Sequence, residues 1–379
     1  KMGAKYSYAT QWDLSPKTEM TIDLNITQKS AVEYFNAMCD HKLPRLADFL
    51  TVLSMITKQN RKLPNFMRLT PAPTDRVIVI GDLHGCFETL MRAFNTPTSN
   101  TQPLGYPGQL INQKRNVYIF NGDLVDRGGS GYQTIFSLAL FQLVQPECVF
   151  VNRGNHESAQ FGLQLGSETS FMFMEEMHFK FPGVSHEVYR PTIKDFFCSL
   201  PICLQIGQTL IVHGGVPPEP FHLEKDFANL QPSRFDTPDF PFQNQQLWYH
   251  FLWSYDRNAK AALFMKQNNL KTVICSHTAT PFHQITVLMP LEIQGNDWGI
   301  VAVTRGESTY NELKKHFEQW ESEQKEIGKE IEKLCLLEVF SSPTNQGKLY
   351  AVVVNGDDPF KYEYLGLGDF ADFKIQAQE

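Results

Sequence analysis

The chain has 379 residues, 42% of them hydrophobic, enough for a real core in one large or two ordinary domains without disulfide staples. A formal net charge of −7 and a pI near 5.9 exclude a generally basic surface for nucleic acid or acidic lipid, so any anionic ligand must be met locally. Seven scattered cysteines without a CxxC pair point to free thiols in a reducing compartment such as the cytoplasm, and no apolar run approaches the roughly eighteen residues of a membrane span.

In chain order, Ala31, Tyr34, Phe35 and Met38, then Leu46, Phe49, Leu50, Leu53 and Ile56, recur at helical spacing. They predict a helical shoulder over residues 1–70. From Arg76 the texture changes to short β-branched runs, Val77–Ile80, Val117–Phe120 and Val149–Val151, alternating with helical stretches near 87–95 and 132–144. That alternation predicts a layered α/β core with strands buried on both faces. Each of the three strands runs into a polar cluster: Gly81-Asp82-Leu83-His84-Gly85, Asn121-Gly122-Asp123-Leu124-Val125-Asp126-Arg127-Gly128, and Arg153-Gly154-Asn155-His156-Glu157. Two further units of this kind end in His213-Gly214-Gly215 and Ser276-His277. Sites in open α/β sheets gather beyond the carboxyl ends of strands, so these clusters are expected to converge. A charged stretch, Ser308 to Leu334, steps its apolar residues like one long helix with a break at Gly328, and Leu336–Phe340 and Leu349–Val354 read as closing strands.

Asp82 and His84, two apart at a strand end, can face one side and hold one cation, with Asp123 bridging to a second whose shell Asn155, His213 and His277 complete. Oxygen and imidazole donors without thiolate suit manganese, iron or zinc better than calcium. Taken singly, an aspartate after a strand is a turn residue or helix cap and a lone histidine a satisfied core residue. Five compatible clusters in order along one chain leave little room for that reading.

GDLHG, GDLVDRG, RGNHE and HGG, with the lead-in Phe120-Asn121 and the blocks Phe251-Leu252-Trp253-Ser254 and Phe340-Ser341-Ser342-Pro343, resemble the motif series of the phosphoprotein phosphatases within the calcineurin-like metallophosphoesterases. The resemblance covers about residues 71–360. It implies a layered β-sandwich flanked by helices, in a single catalytic domain. It further implies two divalent or trivalent metal ions, manganese first and iron or zinc as alternatives. Asp82, His84 and Asp123 would hold one ion, and Asp123, Asn155, His213 and His277 the other. The implied reaction is in-line attack of a metal-bridging hydroxide on a phosphomonoester of serine or threonine in a protein. By the same resemblance His156 is the general acid, Asp126 its orienting carboxylate, and Arg127 and Asn155 contact phosphate. Arg153 is read as structural, with Glu157 as ion-pair partner.

The sequence departs from the family pattern after Trp253-Ser254, where a stretch carrying a second phosphate-binding arginine is shortened; Arg257 is the nearest replacement. The tyrosine expected after Pro343 is absent. Residues 285–335, with strands around Ile285–Leu288 and Ile300–Val303, form an insertion that is either a wall over the site or a helix packed on the body. Two other functions stay open. One is a small-molecule metallophosphoesterase such as a dinucleoside polyphosphate hydrolase, against which Glu157 and Gly214 speak. The other is an inactive binding scaffold, against which the complete ligand set speaks. The expected partner is a phosphoprotein, without nucleic acid or a transmembrane segment. A regulatory subunit, and delivery into a host cell as an effector, are left open.

Overall fold

The computed structural model describes residues 18–97, 102–158, 161–164, 171–218, 220–229, 249–254, 260–278, 284–290, 298–303, 307–326, 333–339, 341–342 and 348–369. The N-terminal part contains β1 (Thr18–Met20), α1 (Gln28–Cys39), β2 (Lys42–Pro44), α2 (Leu46–Asn60) and β3 (Phe66–Leu69). Thr27 starts α1 with a reciprocal cap: its Oγ1 accepts from Ser30 N at 3.1 Å, and Ser30 Oγ accepts from Thr27 N at 2.9 Å. Both helices bury the stripe their spacing predicts, Ala31, Phe35 and Met38 on α1 and Phe49, Val52, Leu53 and Ile56 on α2. The wholly helical reading of this stretch is corrected by three short strands. β1 pairs in parallel with β2, and β3 joins a core sheet. Runs of three or four residues are too short to show a period of two.

The core follows as β4 (Asp75–Ile80), α3 (Phe87–Phe94), β5 (Leu110–Ile111), β6 (Lys114–Phe120), α4 (Gly131–Val144) and β7 (Val149–Val151). Next come α5 (Phe173–Lys180), α6 (His186–Ser199), β8 (Cys203–Ile206), β9 (Thr209–Val212), α7 (Leu223–Asn229), α8 (His250–Trp253), α9 (Lys260–Gln267) and β10 (Thr272–Cys275). The chain closes with β11 (Gln284–Pro290), β12 (Trp298–Val303), α10 (Glu307–Glu326), β13 (Leu334–Glu338), β14 (Lys348–Val353) and β15 (Glu363–Asp369). One sheet has the order β12-β11-β13-β10-β9-β8-β3, and the other β15-β14-β4-β6-β5 with β7 also on β6.

Side-chain alternation shows how the layers stack. On β4 and β6, Ile78, Ile80, Tyr118 and Phe120 face the core shared with α1 to α6, while Val77, Val79, Val117 and Ile119 face the other sheet. On β9 and β10, Ile211 and Ile274 face the same inter-sheet core, while Leu210, Val212, Val273 and Cys275 pack under α7, α8 and α9. The result is a four-layer helix–sheet–sheet–helix sandwich, the layered α/β class expected. Within it β4, β6 and β7 run parallel, as do β9 and β10, so each sheet sends its motif-bearing strand ends in one direction.

The long C-terminal helix is shorter than its periodicity predicts. α10 spans Glu307–Glu326, the proposed break at Gly328 lies outside the described residues, and Leu334 belongs to a strand. Leu334 and Leu336 face one layer and Cys335 and Leu337 the other, a period of two that the helical count had absorbed. Tyr310, Leu313 and Phe317 of α10 pack on the rim of the inter-sheet core, with Tyr310 stacked on Phe360 at 5.9 Å. Lys333 pins the helix to the body, 2.6 Å from Glu321 and 3.1 Å from Asp358. These contacts are those of a helix packed on the body. Among the described residues no helix is long and apolar enough to cross a membrane.

Because Ile274 is fully buried between the sheets, Ile274→Ala is expected to cost about 2–5 kcal/mol through lost burial and a residual cavity. Urea unfolding should show a lower midpoint with an unchanged slope.

Candidate metal centre

The turns after β4, β6 and β10 adopt backbone geometry that L-residues avoid. Nine non-glycine residues among those described have positive φ, and five belong to the predicted site: His84 (46°), Asp123 (53°), Asp126 (68°), Arg127 (70°) and His277 (65°). Interlocking hydrogen bonds hold them there. Leu83 N and His84 N both donate to Asp123 O, at 2.9 and 2.8 Å, and Gly85 N donates to Leu124 O at 2.9 Å. The Glu157 carboxylate accepts from Asp123 N, Leu124 N and Gly154 N, each at 2.8 Å. Gly154 must be glycine here, since a Cβ would lie 2.3 Å from Asp123 N.

Five turns from two sheets thereby converge. His84 Nδ1 lies 3.2 Å from Val125 O and His213 Nδ1 2.8 Å from Asn121 O. A carbonyl can only accept, so Nδ1 carries the proton on both rings and each Nε2 presents its lone pair inward. His84 Nε2 lies 3.5 Å from Asp82 Oδ2 and 3.6 Å from Asp123 Oδ2; His213 Nε2 lies 3.2 Å from Asp123 Oδ1. Asp82 Oδ1 accepts from His277 N at 2.9 Å, whereas Asp82 Oδ2 is buried without a hydrogen-bond partner. Asn155 turns Oδ1 toward His213 Nε2 at 2.9 Å, His277 Nδ1 at 2.8 Å and the Asp123 carboxylate at 3.3 Å. An oxygen facing so many lone pairs is repelled unless a cation lies between them; the alternative is a rotated amide donating its N–H groups.

The donors form two buried groups that could each hold an ion, His84, Asp123 and His156, and Asp123, His213 and His277. Asp123 is common to both, as the sequence reading has it. The mixed oxygen and imidazole set and the unsatisfied Asp82 oxygen both fit divalent cations. His156 stands in the first group, where the sequence reading has Asp82. Its Nε2 is 3.9 Å from Asp123 Oδ2, while its Nδ1 is bound to Asp126 Oδ2 at 2.6 Å.

The electrostatics centre on Asp123. Burial opposes its charge, yet His213, His156 and His84 outweigh burial and hold the carboxyl well below its ordinary range. Burial likewise opposes a proton on His213, but Asp123 overcomes it and pushes the ring up to about 9. His156 is raised in the same way, Asp123 and Asp126 outweighing burial, whereas His84 is lowered by burial and by the Arg127 guanidinium. A field that draws protons onto these rings draws metal cations too, and the two compete for the same lone pairs.

Arg127 is half-buried, and its charge reaches both His84 and His156. Arg153 is fully buried and donates from Nε to the main-chain carbonyl of Glu157 at 2.9 Å. That corrects the expected ion pair, because three backbone N–H groups already occupy the Glu157 carboxylate. Arg257 lies outside the described residues. Sequence reasoning missed a polar layer beneath the site. Asn121 Nδ2 donates to Val212 O and Ser276 Oγ, Asn152 Nδ2 to Asn121 Oδ1 and Ile211 O, and Ser341 Oγ accepts from Gly81 N. Their one sequence signal is position, directly beside the motif residues.

The calcineurin-like phosphoesterase model matches residues 75–281, more than half of the chain and the stretch that carries every ligand candidate. The chain belongs to the calcineurin-like phosphoesterase family. Relatives of this phosphoesterase include human serine/threonine-protein phosphatase with EF-hands 2, 34% identical over 168 residues, which are 44% of this chain and 20% of that protein. Serine/threonine-protein phosphatase T of Trypanosoma brucei brucei (strain 927/4 GUTat10.1) is 31% identical over 225 residues, 57% of this chain and 42% of that protein. The phosphoesterase thus spans less than half the length of these curated relatives. Its fold is that of a protein serine/threonine phosphatase from Saccharomyces cerevisiae, with a TM-score of 0.61 at 21% identity over 90% of this chain and 96% of that one. The family implies divalent metal ions.

Glu157→Gln keeps the shape but turns an N–H₂ toward backbone donors, and an unsatisfied buried donor costs about 1–3 kcal/mol. The variant is expected to melt earlier and to lose metal on dialysis, measured by elemental analysis. Wild-type melting with full metal retention would contradict this assignment.

Proposed function

We propose that this chain is a metal-dependent protein phosphatase that hydrolyses phosphoserine and phosphothreonine. The observation that carries the reading is one carboxylate, Asp123, shared by two donor groups, with the His156–Asp126 pair set 3.9 Å from it. The substrate class is supported by the names of the relatives. The donor chemistry supports two ions, manganese first and iron or zinc next, with Asp82, His84 and Asp123 as one ligand set and Asp123, Asn155, His213 and His277 as the other. The seven cysteines, all outside disulfides, support a reducing compartment.

Bound ions would neutralise phosphate oxygens and lower the pKa of a water toward 7. The remaining work falls to side chains. Asp126 fixes the His156 ring through Nδ1 and favours its protonated form, so that Nε2 can deliver a proton to the departing serine or threonine oxygen. Arg127 offers a guanidinium fork to phosphate oxygens as their charge develops. Its position beside His84 and His156 suits that role.

After metal stripping and reloading with manganese, the protein is expected to turn over phosphoserine and phosphothreonine peptides; failure on these peptides and on a small aryl phosphate alike would sink the reading. Asp123→Asn should lose metal and activity together. His156→Asn should keep its metal and lose about 10²–10⁴-fold in kcat on phosphopeptides, with a smaller loss on an aryl phosphate whose leaving group needs little protonation. Equal kcat in wild type and His156→Asn would remove the acid assignment.

A further inference from the structure

The Asp126–Arg127 turn and the residues that follow it rest on α5 and the segment leading into it through five hydrogen bonds. Arg127 N donates to Phe171 O at 2.7 Å, and Asp126 Oδ1 accepts from Phe173 N at 2.7 Å, which leaves Oδ2 for His156. Two side chains one helical turn apart on α5 complete the grip. Glu176 accepts from Gly131 N at 2.8 Å and Tyr132 N at 2.9 Å, the first amides of α4, which lack intrahelical partners. Lys180 donates to Gly129 O at 3.0 Å and lies 3.5 Å from Glu176, its side chain 3% exposed and that of Glu176 fully buried.

A buried lysine and glutamate are costly to desolvate, so a pair kept here needs a reason beyond stability. Every side-chain hydrogen bond they make outside the pair falls on residues 129–132, just past Asp126 and Arg127 in the strained left-handed region. Such backbone persists only where its surroundings over-determine it. We infer that Glu176 and Lys180 are positioning residues that lock the Asp126–Arg127 turn from behind, and so set where the Arg127 guanidinium meets phosphate and where Asp126 holds His156. Neither residue touches the ligand groups; they act through the backbone of 129–132. Removing Lys180 leaves the Glu176 carboxylate unpaired and Gly129 O without its donor, and the turn relaxes toward ordinary φ.

The inference rests on the proposed role of Arg127, so its test uses readouts that do not need turnover. Metal-loaded wild type, Lys180→Met, Lys180→Arg, Arg127→Ala and the Lys180→Met/Arg127→Ala double variant are compared. Inorganic phosphate affinity is measured by calorimetry, and amide exchange over 126–132 by mass spectrometry. Lys180→Met is expected to keep its metal, to speed exchange in that segment, and to weaken phosphate binding about tenfold, whereas in the Arg127→Ala background the same change has less than about twofold effect. Lys180→Arg, which retains the charge and the donor, should recover most of the affinity. An equal loss with and without Arg127, or unchanged exchange over 126–132, overturns the inference. If Lys180→Met does not fold, Glu176→Gln, which keeps one acceptor oxygen, carries the same comparisons. Inactivity of the wild type on every phosphomonoester would refute the phosphatase reading alone, while the exchange data still decide whether the lock exists.

Discussion

The carboxylate of Glu157 is the constraint on which the site depends. It is buried, and burial together with nearby Asp123 pushes its pKa up to about 7, yet three backbone N–H groups converge on its two oxygens. Those donors come from the turns after β6 and β7, so one side chain ties the ends of two neighbouring strands into a fixed relation. Asp123 can then present its carboxylate to His84 on one side and His213 on the other. Without that tie, two glycine-containing turns packed closer than a Cβ allows would have no reason to stay in contact.

The second sheet is joined to this frame by amides rather than by charge. Asn121 and Asn152 reach from β6 and β7 to the carbonyls of Val212 and Ile211 on β9, and Asn121 also reaches Ser276 after β10. Strand ends in two stacked sheets can slide past one another on an apolar interface, because apolar contacts are non-directional. Buried hydrogen bonds are directional and costly to leave unmade, and they set the register between sheets that brings His213 and His277 to Asp123.

Much of this was legible in the sequence because the chemistry is local. Asp82 and His84, or Asp126 and Arg127, lie within one turn, and glycines around them mark where the chain must bend tightly. The strands β4, β6 and β9 were legible because they alternate between two apolar layers, yielding continuous buried runs. What was not legible depended on distant partners. Phe66–Leu69 is too short to show its period, and Leu334 fits a helical count until its partner Leu288 on β11 is known. Arg153 and Glu157 form a salt bridge on paper, but in the fold three backbone N–H groups take the Glu157 carboxylate and Arg153 Nε donates to the Glu157 main-chain carbonyl. Glu176 and Lys180 look like an ordinary helical i, i+4 pair, and only their burial against residues 129–132 distinguishes them.

The positive φ angles bind these observations together. A non-glycine residue in the left-handed region costs on the order of 1–2 kcal/mol, so five in one site claim a share of a stability that totals about 5–15 kcal/mol for a typical domain. Glycine at these positions would relieve the cost and remove the side chain that does the chemistry. The alternative is to over-determine the backbone around each strained residue: Asp123 O with two donors, Asp123 N on Glu157, Arg127 N on Phe171, and His277 N on Asp82. The His277 bond links the two requirements, because the carboxylate that holds the strained amide is itself a ligand candidate. Strain and metal affinity are thereby coupled through shared atoms, and the turn cannot relax without moving an oxygen of the site.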